Sequence, residues 1–136
     1  YHGLAIMRPM IKSVFSSDVK DLVSWKPDKL SSIYFPLELT IGMAEQIGGD
    51  NFEELVATPE ALRVHTELGY CFSGRYILIV MGYDWLLIYS KLEELVTECE
   101  GESWKDIVHA LSKTFRWEFE DYQNMDDQND ETVRPE

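Results

Sequence analysis

The stretch Phe35-Pro36-Leu37-Glu38-Leu39-Thr40-Ile41-Gly42-Met43 sets a large apolar side chain at every second position. The residues between are small or polar, which is the period of an extended strand with one face buried and one wet. Pro36 has no N–H to donate, so it marks a strand beginning or a sheet edge. Gly48-Gly49-Asp50-Asn51 reads as a turn, and residues 52–57 as the returning strand of a hairpin. Upstream, residues 10–15 form a short strand. Residues 20–32 are polar, and Pro27 disfavours a helical Lys26.

Downstream the period lengthens. Thr58-Pro59 is a helix start, threonine capping and proline filling the first helical position. This helix should run to about Leu68 and stop at Gly69. Residues 75–81 are rich in aliphatics and read as a central strand. After Gly82, the residues Ile88, Leu92, Leu95, Val96 and Cys99 fall on one helical face, and Gly101 ends the helix. Ser103 with Asp106 resembles a capping box, with aspartate in place of the usual Glu or Gln. Trp104, Ile107, Val108, Leu111 and Phe115 then build a second apolar face. Residues 117–122 alternate aromatic with acidic side chains up to Asp121, as a last strand or a frayed helix end. The expectation is an α+β fold: one domain, a mainly antiparallel sheet, and about three helices packed on one side. Residues 10–122 form that domain. Residues 1–9 read as a leader and residues 123–136 as a disordered acidic tail.

Charge narrows the partner class. The 136 residues carry 12 Lys and Arg against 25 Asp and Glu, a net of −13. From Asp84 onward there are 15 acids and 5 bases, so most of the excess lies in the C-terminal portion. Such a field repels nucleic acid and anionic lipid, and it attracts cationic proteins. No apolar run reaches the roughly 18 residues of a membrane span. Cys71 and Cys99 are too few for a disulfide scaffold, and no secretory signal precedes them. Reduced thiols in a cytoplasmic protein are expected.

Catalytic chemistry finds little support. His2, His65 and His109 have no cysteine or second histidine at ligand spacing, so no metal and no cofactor is expected. Gly48-Gly49 lacks the Lys-Ser/Thr of a phosphate loop. Cys71 lies between Tyr70 and Phe72, which favours an inert thiol over a nucleophile served by His65. Paired carboxylates such as Glu118 and Glu120 arise by chance in so acidic a chain, which leaves a small hydrolase as the weakest alternative. Aromatics beside acids are the better signal: Tyr83-Asp84 after a strand, and Trp117 to Tyr122 near the end. Tyrosine and tryptophan supply interface hot spots, and carboxylates answer a partner's Lys and Arg. The candidate partner-binding residues are therefore Tyr83, Asp84, Glu118, Glu120, Asp121 and Tyr122.

The ordered set of these pieces resembles the bacterial immunity protein 8 family, antidotes encoded beside polymorphic and contact-dependent growth inhibition toxins. The resemblance is carried by Met10-Ile11-Lys12-Ser13 with Ser17-Asp18, the alternating strand from Phe35, and Ala57-Thr58-Pro59. It continues through Arg75-Tyr76-Ile77-Leu78-Ile79-Val80 with Tyr83-Asp84, Cys99-Glu100-Gly101 with Ser103-Trp104, and Trp117-Glu118-Phe119-Glu120-Asp121-Tyr122. It implies a non-catalytic protein that binds the C-terminal domain of one cognate toxin. That toxin is expected to be a basic nuclease, an RNase ahead of a DNase. An intracellular adaptor whose acidity serves solubility is the alternative.

Overall fold

The computed structural model describes residues 6–65 and 74–120. The expected end of the first helix at Leu68-Gly69, the thiol of Cys71 and the tail 123–136 lie outside the described residues. Eight elements follow in order: β1 (Pro9–Phe15), β2 (Tyr34–Met43), β3 (Asp50–Ala57), α1 (Pro59–His65), β4 (Ile77–Ile79), α2 (Trp85–Thr97), α3 (Trp104–Leu111) and β5 (Arg116–Trp117). The sheet runs β1-β2-β3-β4, with β5 also on β3. The α+β expectation holds. Strands β1, β2, β3 and β5 pair antiparallel, and β4 joins β3 in parallel.

The alternation of β2 does what its sequence implies. Phe35, Leu37, Leu39 and Ile41 are fully buried, beside Phe52 and Val56 of β3. The buried faces of α2 (Ile88, Leu92, Val96) and α3 (Ile107, Val108, Leu111) join them in one core with Phe115. Each such side chain contributes about 1.5–3 kcal/mol on burial. Two glycines allow the β2–β3 connection to close. A Cβ on Gly42 would meet the Gly48 carbonyl oxygen at 2.0 Å, and one on Gly49 would meet that of Ile41 at 2.2 Å.

Thr58 fixes the far end of β3. Its hydroxyl accepts from the Ala61 amide at 3.3 Å, as a helix cap does, and also from the Ile33 amide at 3.1 Å. It donates to the Ser31 carbonyl at 2.5 Å. One side chain therefore starts α1 and pins the loop that feeds β2.

Residues 75–81, expected as a central strand, form only the three-residue β4, at the sheet edge beyond β3. The reason is the crossover: α1 and the chain after it return this segment parallel to β3, on the flank opposite β2. The aliphatic run alone does not distinguish a central from an edge position. Ile79 is accordingly exposed. The fold also reaches back into residues set aside as leader. Met7 exchanges two backbone bonds with Gly101, Arg8 pairs with Glu100 at 3.2 Å, and Pro9 opens β1.

β4 and β5 cover different halves of the outer edge of β3, pairing with Leu55–Ala57 and with Phe52-Glu53 respectively. Glu54 lies between them and points to the core face. It is buried, one carboxylate oxygen has no hydrogen-bond partner, and burial pushes its pKa up to about 8. A raised folded-state value means the unfolded chain ionises first as pH rises. Stability is thus lost from about pH 4.5 up to about pH 8. Glu54→Gln should gain on the unmodified protein across that window by on the order of 1 kcal/mol per pH unit, measured by urea denaturation. A constant difference between the two proteins would show that Glu54 is ionised in the fold.

Candidate functional site

Ser103 caps α3 by accepting from the Asp106 amide at 3.1 Å, which sets Trp104 at the first helical position. From there the Trp104 indole N–H donates to Oδ2 of Asp50 at 3.3 Å. Trp117, in β5, donates to the same oxygen at 3.1 Å. The first residue of β3 thus clasps two tryptophans 13 positions apart in sequence. Between them opens a cleft of about 510 Å³, walled by Trp104, Val108 and Trp117 and flanked by Glu120, Lys105 and His109.

Of the six residues picked from sequence, the four that lie among the described residues are not brought together in one site. Tyr83 and Asp84 line a groove between β4 and α2; Glu120 lines the tryptophan cleft; Glu118 lines a shallow depression with Glu38, Glu53 and Arg116. Asp121 and Tyr122 lie outside the described residues. Several of the described residues also serve the fold. The Tyr83 ring packs edge-on against Trp25, and its hydroxyl donates to the Leu22 carbonyl, pinning the polar 20–32 segment. Burial first, then the nearby Asp21 carboxylate, push its pKa up to about 12. Asp84 is the N-cap of α2, accepting from the Leu87 amide. β5 ends at Trp117, so Glu118 and Glu120 do not share a strand face. Glu118 turns back to accept from the Asn51 amide and side chain, at 3.0 and 3.3 Å. Glu120 accepts from the Tyr76 hydroxyl at 2.5 Å and stands 4.0 Å from Arg75.

The groove holding Tyr83 and Asp84 has a volume of about 500 Å³ and is mostly apolar, with Leu78, Val80 and Ile88 inside it. Large side chains that line it stand exposed: Ile79 at 54%, Met81 at 81% and Leu87 at 69%. Farther along α2, Glu93, Glu94 and Glu98 line an acidic depression with Glu100. Sequence reasoning missed the apolar part of this surface, although a signal was present. Leu86 and Leu87 fall off the stripe formed by Trp85, Ile88, Leu92 and Val96. Asp50 was missed because it looked like an ordinary turn residue.

Catalytic groupings do not assemble among the described residues. No cluster of three or more His, Cys, Asp or Glu among the described residues could hold a metal ion. His65 is stacked on Tyr34 at 4.1 Å. The buried Cys99 thiol is pushed to a higher pKa, chiefly by burial, which makes it less nucleophilic. On the surface, aromatics and exposed aliphatics stand beside carboxylates. No helix among the described residues is long and apolar enough to cross a membrane.

A family model described as Immunity protein 8 matches residues 9–122. No curated protein and no solved structure matches the chain.

Asp50→Ala would leave two half-buried indole N–H groups without their acceptor. Stability should fall by about 1–3 kcal/mol in urea denaturation, with a shift in tryptophan emission. Unchanged stability and emission would show that packing alone holds the indoles.

Proposed function

The chain belongs to the immunity protein 8 family, and from that premise we propose that it neutralises a basic nuclease toxin by laying an acidic surface over the toxin's active site. Immunity against a toxin follows from the family itself; the family match over residues 9–122 is the single observation that carries the reading. The basic nuclease target is our inference from charge, and an RNase is proposed ahead of a DNase. A nuclease carries basic groups to hold phosphates, and a chain with a net charge of −13 can stand in for the polyanion. Long-range attraction then accelerates encounter, while a few well-packed contacts hold the complex.

The proposed partner is the C-terminal domain of the cognate toxin, met in the cytoplasm in a one-to-one complex. A standard interface buries about 800 Å² on each side. Its contact residues are proposed to include Asp84 with Tyr83, and Glu118, Glu120, Asp121 and Tyr122. Binding rather than catalysis is the mode of action in this reading, and no cofactor enters it.

The test uses the toxin domain encoded by the adjacent gene. Glu118→Gln, Glu120→Gln and Asp121→Asn combined keep one acceptor oxygen on each side chain and remove three charges. Affinity measured by calorimetry should fall, and its dependence on ionic strength should flatten. If both are unchanged, these carboxylates take no part in binding and the toxin binds elsewhere.

A further inference from the structure

We propose that the groove between β4 and α2 is an anchor site for an apolar side chain that projects from a basic protein surface. The proposal rests on the toxin-binding reading above and adds where the binding energy is concentrated. Ile79, Met81 and Leu87 line the groove and are each more than half exposed. Exposed apolar side chains that share one groove mark an interaction site.

The groove is also rigid. Leu78, Val80 and Tyr83 pack against the core, and Ile88 belongs to it. Tyr83 is tied to the Leu22 carbonyl, and the Asp84 cap fixes where α2 starts. A site already in its bound shape loses little entropy when it is filled.

Charge chooses the occupant. The helix that forms one wall continues into Glu93, Glu94 and Glu98, with Glu100 just beyond. Lys91 is the only cation among the described residues that line the groove, and it pairs with Glu94 at 3.1 Å. A second copy of this chain would set acid against acid, and an anionic membrane would be repelled. A basic protein with a protruding apolar side chain fits both features. The apolar contact is then the buried centre and the carboxylates are the polar rim.

Two variants probe the groove without touching the core. Leu87→Ser removes an exposed wall. Gly82→Gln adds bulk where a Cβ would meet nothing within 4 Å and where φ needs no glycine. Each should weaken binding of the adjacent-gene toxin domain by about tenfold, with its salt dependence unchanged. Glu93→Gln with Glu98→Gln should instead flatten the salt dependence. Equal affinity of Leu87→Ser, Gly82→Gln and the unmodified chain would overturn the groove while leaving the toxin-binding reading intact. So would sedimentation showing that the free chain dimerises and that these variants dissociate it. Failure of the unmodified chain to bind the toxin would overturn both.

Discussion

Strand β3 must satisfy two edges at once, and the rest of the fold is arranged around how it does so. One flank pairs along its whole length with β2. The other is shared between two short strands that arrive from distant parts of the chain, β4 in parallel and β5 antiparallel. An unpaired strand edge costs hydrogen bonds and invites aggregation, so the split coverage needs fastening. Side chains near the ends of β3 supply it. Asp50 clasps Trp104 and Trp117 at the start, and Thr58 holds Ile33, Ser31 and the first turn of α1 just past the end. Glu120, reaching from beyond β5 to Tyr76 just before β4, links the two covering strands.

That arrangement explains why the surface is both acidic and ordered. Some of its carboxylates are fold elements: Asp84 caps a helix, Glu118 holds Asn51, and Glu120 holds a tyrosine hydroxyl. A carboxylate already positioned by one hydrogen bond keeps lone pairs for a partner's Lys or Arg. It therefore loses less side-chain entropy on binding than a freely rotating one. Along the outer part of α2, Glu93, Glu94 and Glu98 instead gather in one acidic depression with Glu100.

Much of this was legible in the residues. The alternation from Phe35 to Met43, the Thr58-Pro59 start and the face of Ile88, Leu92 and Val96 all appear as read, because each depends on local period or capping. The edge position of residues 77–79 was not legible: an aliphatic run looks alike at the centre and the rim of a sheet, and only the crossover decides. Nor could the sequence show that residues 118–120 would leave the strand, because their bonds to Asn51 and Tyr76 span 67 and 44 positions. The candidate site was half visible. Asp84 and Tyr83 do border a groove, but the exposed apolar side chains that make it a candidate docking surface come from Ile79 of β4, from Met81 just past it and from Leu87, off the stripe of α2.

The most direct test of the account is a titration of the cognate toxin domain's nuclease activity with this protein. The account predicts a linear loss of activity that ends at one equivalent at low salt and needs more protein as salt is raised. Full activity at a large excess of the protein, at any ionic strength, would contradict it.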